Sequence, residues 1–360
     1  MRALARIPAS CSRSLIACAS TLACWQISVA LAGQAVEQHA DSASAQPIAV
    51  ETFHDPRPKR IDEPAYPFDS FGPDGWAILS LMVDPKGKPF EAAVVSSTGN
   101  KTFNALAVRS IERSMFVPAS VNGQPIESAY EFKFTFLNSG RSALPGGDRE
   151  FIDGWKRVQT ALKAGDRQAV DANMQKLQIT TLHEDAHYGI LQYEYASRWG
   201  NEQEQLAGLQ RALANAEVLS REERQGILLQ SVKLYISTHD FAQGLRRWDQ
   251  LRKEGGVDPQ IVAQMEPVIA HLKELRTNDT AYNVVGLVSE TGNWSLHLFK
   301  RHFQAVIESG SLSDVKLRCA KGFLHFTFDP KLEYTVPVKL GECGIELLGT
   351  PGTRFKLEQS

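Results

Sequence analysis

The chain of 360 residues is poor in cysteine and has no excess of charge of either sign. Lysine and arginine number 39 against 41 aspartate and glutamate, so it lacks the clustered basic surface and high isoelectric point of a nucleic-acid binder. Of five cysteines, Cys11, Cys18 and Cys24 lie near the start, which leaves Cys319 and Cys343 for everything after it. No Cys-x-x-Cys occurs and no activating neighbour flags a thiol nucleophile. The length is enough for two or three cores, since single domains cluster at roughly 100–200 residues.

What is present begins with an address. Arg2, Arg6 and Arg13 precede the uncharged run "SLIACASTLACWQISVALAG", which closes on Ala30-Leu31-Ala32, an A-x-A cleavage pattern. Residues 1–32 are read as a signal peptide for export to the periplasm; the alternative is an uncleaved inner-membrane anchor, because the run is close to the ~18 residues at which a span becomes plausible. An even pair of cysteines in an exported chain predicts a Cys319–Cys343 disulfide. Residues 33–60, polar and proline-bearing with no apolar period, are read as a flexible linker.

Residues 61–140 switch to a strand, strand, helix, strand pattern. "GWAILSLMVD" is an apolar strand that turns at Asp84-Pro85-Lys86-Gly87-Lys88, and "PFEAAVVSST" returns. Phe103, Leu106, Ala107, Ser110, Ile111 and Met115 then fall at helical spacing. "ESAYEFKFTFLN" closes the unit with Tyr130, Phe132, Phe134 and Phe136 on one face and Glu131, Lys133 and Thr135 on the other. With Pro64-Ala65-Tyr66-Pro67, Gly75, Val83-Asp84, Gly87, Val94-Val95-Ser96-Ser97, Gly99, Phe116-x-Pro118-Ala119 and Asn122-Gly123-Gln124-Pro125, this stretch resembles the C-terminal domain of the energy transducer TonB. The resemblance implies a non-catalytic periplasmic module, without cofactor, that takes an extended segment of an outer-membrane receptor, or of another envelope protein, as an added strand. By position, the implied binding edge is Glu127, Ser128, Ala129, Tyr130, Glu131, Phe132, Lys133, Phe134, Thr135, Phe136 and Leu137, with Tyr66 and Pro67 on the entering segment. A full transducer also has a membrane helix with polar residues for a proton-driven motor, and a long proline-rich stalk. Here the apolar run holds no histidine or acid, and Gln34–Glu63 reaches at most roughly 100 Å.

Residues 148–277 read as helical. "GILQYEYASRWGNEQEQLAGLQRALA" and "GILLQSVKLYISTHDFAQGLRRWDQL" look alike at an offset close to the tetratricopeptide period. They predict a helix-hairpin array of scaffold type, against the alternative of an irregular bundle acting as spacer. Residues 280–360 are short alternating runs split by Gly, Pro, Asp and Asn, which predict a small β sandwich or barrel. The fold class expected is therefore α+β and multidomain: a TonB-C-like β-β-α-β domain, an α-helical repeat-like middle domain and a disulfide-tied β-rich end.

One string competes with the non-catalytic reading. His183-Glu184-Asp185-Ala186-His187 matches H-E-x-x-H, in which two imidazoles on one helical face bind zinc and the glutamate activates water. Against a zinc hydrolase stand the charged Asp185, and Ile190 and Tyr193 where the extended motif has Gly and His. Thr181-Leu182-His183-Glu184 is a T-x-x-E capping box, and Leu182, Ala186, Gly189, Tyr193 and Ala196 form a core face with His183 and His187 offset from it. No metal is expected.

Overall fold

The computed structural model describes residues 52–68, 72–138 and 148–360, and statements about its contents below concern those residues. The signal or anchor segment and most of the expected linker lie outside them. No helix among the described residues is long and apolar enough to cross a membrane.

The chain enters through two short strands, β1 (Phe53–His54) and β2 (Arg57–Arg60). Residues 53–60 were expected as linker, and this is a correction. Both strands are largely exposed, so neither carries an apolar alternation; backbone pairing alone marks them. The next elements are β3 (Gly75–Val83), β4 (Pro89–Ser97), α1 (Lys101–Arg113), β5 (Met115–Val117), β6 (Ala119–Val121), β7 (Gln124–Ile126) and β8 (Ser128–Phe136). Strand β2 pairs with β5, and β1 with β6, which in turn pairs with β7.

The main sheet has the order β4-β3-β8 and is antiparallel. Its central strand β3 is buried on both faces, which explains its nearly unbroken apolar sequence. At the β3–β4 turn, Asp84 Oδ1 accepts the amides of Lys86 and Lys88. Gly87 sits at φ +81°, where a Cβ would lie 2.0 Å from the Phe116 carbonyl oxygen, so the turn requires glycine. Helix α1 is capped by Asn100, whose side chain accepts from the amides of Thr102 and Phe103, and buries Phe103, Ala107, Ser110 and Ile111 against the sheet.

Seven helices follow: α2 (Arg149–Ala164), α3 (Arg167–Met174), α4 (Leu182–Trp199), α5 (Glu202–Ala214), α6 (Arg221–Ser237), α7 (Phe241–Glu254) and α8 (Pro259–Thr277). Each starts on an Asp, Asn, Ser or Thr whose side chain accepts a first-turn amide, and α4, α5 and α6 have full capping boxes. The two look-alike stretches are the hairpins α4–α5 and α6–α7. In the first, a Cβ on Gly189 would lie 2.7 Å from the Ala212 amide nitrogen, and one on Gly208 2.5 Å from that of Tyr193. The paired glycines let the two backbones touch.

The C-terminal strands are β9 (Tyr282–Leu287), β10 (Asn293–His297), β11 (His302–Ser309), β12 (Leu312–Cys319), β13 (Gly322–Thr327), β14 (Tyr334–Thr335), β15 (Cys343–Gly349) and β16 (Arg354–Gln359). They form two antiparallel four-stranded sheets, β10-β15-β12-β13 and β14-β11-β16-β9. Phe303, Val315, Leu317, Ile345, Leu347, Phe355 and Leu357 fill one core between them, as in a sandwich. The run "WSLHLFKRHFQAVI" is two strands, because the chain changes sheet at residues 298–301; there Gln359 Oε1 accepts the amides of Phe299 and Lys300. Cys319 and Cys343 stand directly opposite on β12 and β15 and are bonded.

The bond closes a loop across 24 residues, and closing a loop of that order stabilises by about 3 kcal/mol. The double variant Cys319→Ala/Cys343→Ala is expected to lose about that much in urea unfolding of the C-terminal domain. Reductant is expected to destabilise the wild type alone.

Candidate functional site

The implied binding edge is an edge in the structure. Strand β8 pairs with β3 in unbroken register from Gly75↔Phe136 to Val83↔Ser128, and no strand among the described residues pairs with its other side. The opposite edge, β4, is irregular, with register shifts at Ile78/Leu79 and Ser80/Met82 and Glu91 at φ +51°. Bulges of that kind discourage strand addition, so β8 is the regular edge of the two.

The side chains of β8 divide as their alternation predicts. Phe134 and Phe136 are buried in the core shared with α1, and Tyr130 and Phe132 pack on its margin. Phe136 stacks on Phe103 at 4.4 Å, and Phe116 meets Tyr130 edge-on at 5.5 Å. On the other face Glu131 and Thr135 are exposed and Ala129 and Lys133 are half-buried; just outside the strand, Glu127 is half-buried and Leu137 is 58% exposed. Of the entering segment, Pro67 is exposed. Tyr66 packs against Phe68 and Phe103, and its hydroxyl donates to the Pro73 carbonyl at 2.8 Å. Tyr66 thus supports the Phe136 end of the sheet from the α1 side.

The second face of the sheet is contacted at both ends, by the helical region and by the C-terminal sandwich. At one end the Trp76 indole N–H donates to Asp185 Oδ2 at 2.7 Å. Asp185 is 2% exposed and also accepts from Arg211 Nε at 2.9 Å, from the Arg211 terminal nitrogen, and from Asn215 Nδ2 at 3.2 Å. Asn215 in turn accepts from Lys133 Nζ at 2.9 Å, and the same ammonium pairs with Glu217 at 3.1 Å and donates to the Ala214 carbonyl. The Asp74 amide adds a backbone bond to the Thr180 carbonyl at 2.9 Å. At the other end Phe90 meets Phe323 edge-on at 5.8 Å. Glu91 takes Lys316 Nζ at 2.6 Å and Arg318 at 3.2 Å, and its carbonyl takes a second Arg318 donor at 2.9 Å. The Lys316 hydrogen bond holds the Glu91 carboxyl below its usual range, against the effect of burial.

The H-E-x-x-H string lies at the first of these contacts and is not arranged as a peptidase site. Glu184, fully buried, turns back toward the helix start. Its Oε2 accepts from the amides of Thr180 and Thr181 and the Thr180 hydroxyl, and its Oε1 from the Asp148 amide at 2.9 Å. The capping box is thus present and extended, and the carboxylate is not free to activate water between the histidines. Among the described residues no group of three His, Cys, Asp or Glu is placed to hold a metal. The two imidazoles lie 4.2 Å apart. His187, 7% exposed, donates from Nδ1 to the His183 carbonyl at 2.8 Å and meets Glu223 of α6 through Nε2 at 3.3 Å.

Sequence reading missed Asp185 as a docking residue, yet a signal was present. Leu182, Asp185, Ala186 and Gly189 share one i, i+3, i+4 stripe of α4, and a charge on a core stripe calls for a buried partner. That partner, Trp76, is 109 positions away.

With this geometry in place, comparison with known families gives one result. Residues 64–137, from the entering segment to the end of β8, match the family model described as Gram-negative bacterial TonB protein C-terminal. The match covers about a fifth of the chain. No curated protein matches the chain.

Two outcomes are expected here. Asp185→Ala leaves the Arg211 guanidinium and the Trp76 indole without their acceptor, and breaking a buried pair in this way costs about 3 kcal/mol; urea unfolding with tryptophan emission checks it. The second concerns pH. Burial disfavours the charge of His187, but the hydrogen bonds to Glu223 and to the His183 carbonyl outweigh it and raise the pKa above the ordinary 6.5. The His187 hydrogen bond carries Glu223 down to about 2 from 4.5, against burial. The histidine's contribution is full below 6.5 and lost as pH rises through its raised value; the glutamate's is full above 4.5 and lost as pH falls toward about 2. The pair therefore stabilises most between 4.5 and 6.5. The stability difference between wild type and His187→Gln is expected to peak in that window, measured by thermal unfolding across pH.

Proposed function

We propose that this chain is a TonB-like, non-catalytic protein of the cell envelope that works in the periplasm and binds an extended segment of an outer-membrane receptor by strand addition along residues 127–137. The observation that carries the reading is the state of β8: nine residues in continuous register, paired on one side only, at the C-terminal strand of a segment that matches the TonB C-terminal family. An unpaired edge offers backbone donors and acceptors in a row, and a second strand satisfies them while side-chain contacts set selectivity. The fixed second face adds to this, because Trp76, Lys133 and Glu91 hold the sheet on the neighbouring domains. Little ordering of the sheet is left to accompany binding.

A scaffold role for the helical region is the second reading, supported by the two close-packed hairpins α4–α5 and α6–α7. The contacts of Asp185 and Asn215 join that region to the sheet, so it acts first as a brace for the binding module.

A synthetic peptide with the sequence of a receptor's TonB-recognition segment is expected to shift the amide resonances of residues 127–137 while leaving those of β4 in place. Shifts confined to α4–α7 would move the binding site to the helices.

A further inference from the structure

The charges around β8 point to the chemistry of the strand it receives. On the face away from α1, β8 presents Ala129, Glu131, Lys133 and Thr135 in alternation with the core residues, and Glu127 directly precedes the strand. The strand's single cation is already matched. Lys133 is paired with Glu217 at 3.1 Å, bonded to Asn215 at 2.9 Å and held by the Ala214 carbonyl. The two acids have no such match: Glu131 is exposed, and among the described residues neither Glu127 nor Glu131 has an ion pair or side-chain hydrogen bond. Asp55 adds to the same sign of potential. It is exposed and lies near enough to Tyr130 of β8 to reinforce the rise in that phenol's pKa that burial causes.

We propose that the segment added to β8 carries basic side chains at two positions four residues apart, opposite Glu127 and Glu131, with apolar residues at the alternate positions. This rests on strand addition at β8, proposed above. The spacing follows from the period of a strand that the added segment continues one residue beyond Ser128: its residues opposite Glu131 and Glu127 then share the face away from α1. The residue between them lies opposite Ala129, which pairs with the fully buried Met82. The intervening positions fall on the other face, beside Tyr130 and Phe132, whose half-buried rings leave apolar surface at the sheet margin. The partner is thus an amphipathic extended segment, basic on one face and apolar on the other. The opposite arrangement, a partner acidic at those two positions, sets like charges directly across a strand pair, which is destabilising.

The test uses the full chain and three fluorescein-labelled nonapeptides with identical apolar residues and Lys, Gln or Glu at the two positions. Binding is followed by anisotropy at low and at 0.5 M salt, and the site by amide shifts on β8. The Lys peptide is expected to bind at least about tenfold more tightly than the Glu peptide at low salt. The gap should shrink with salt and close in Glu127→Gln/Glu131→Gln. Equal binding of the Lys and Glu peptides, or tighter binding of the Glu peptide, with β8 amides shifted, overturns the charge assignment and leaves strand addition standing. Failure of all three to shift β8 amides overturns both. The unfolding profile of the double Gln variant, in which only two side chains away from the core change, shows that a lost preference is not lost folding.

Discussion

A carboxylate removed from water is among the most expensive groups a protein can bury, and Asp185, 2% exposed, sits where two domains meet. It is tolerable only because four donors converge on it: two from the Arg211 guanidinium, one from the Trp76 indole and one from the Asn215 amide. The arrangement is worth little as net stability, since desolvation offsets most of the Coulomb gain. Its value is directional. Trp76 belongs to the central strand β3 and Asn215 passes the link to Lys133 on β8, so one side chain of α4 sets the position of two of the three strands of the main sheet.

That constraint changes what the TonB-C-like module exposes. A three-stranded antiparallel sheet with a helix on one side normally leaves its other face to solvent. Here the helical region takes one end of that face and the C-terminal sandwich the other, through Phe323, Lys316 and Arg318. Glu91, in the left-handed region at φ +51°, is a strained non-glycine residue held by two cations from the sandwich. Such strain persists only where the surroundings over-determine it. With β4 bulged and clamped, β8 is left as the regular strand of the main sheet that is paired on one side only.

How much of this was legible in the sequence depended on range. The β3–β4 hairpin, helix α1, the alternation of β8 and the Thr181–Glu184 capping box are set by residues within a few positions of each other, and each is visible in the string. The single pair of cysteines left after the N-terminal segment made Cys319–Cys343 legible without any structure. Strands β1 and β2 were not, because exposed strands bury no alternating face and only their pairing with β6 and β5 reveals them. The break in "WSLHLFKRHFQAVI" was hidden because its cause, Gln359, is some sixty residues further on. The docking role of Asp185 depended on Trp76, and the second partner of His187 is Glu223 of another helix; no local pattern records either.

The four polar residues of His-Glu-Asp-Ala-His address different parts of the molecule. The His183 carbonyl fixes the His187 ring, Glu184 gathers the amides of Asp148, Thr180 and Thr181, Asp185 takes the sheet, and His187 takes α6. A metallopeptidase helix aims the same residue types at one point in space; this one spreads them around a single turn. An apolar surface at this junction would bury comparable area, but dispersion and desolvation are non-directional and would accept several neighbouring registers between helix and sheet. Hydrogen bonds to buried carboxylates accept one, because any slip leaves a charge without donors. For a module proposed to bind along the line of a single strand, that difference matters, since a small shift of β3 on α4 carries β8 with it and misaligns every backbone group along the edge.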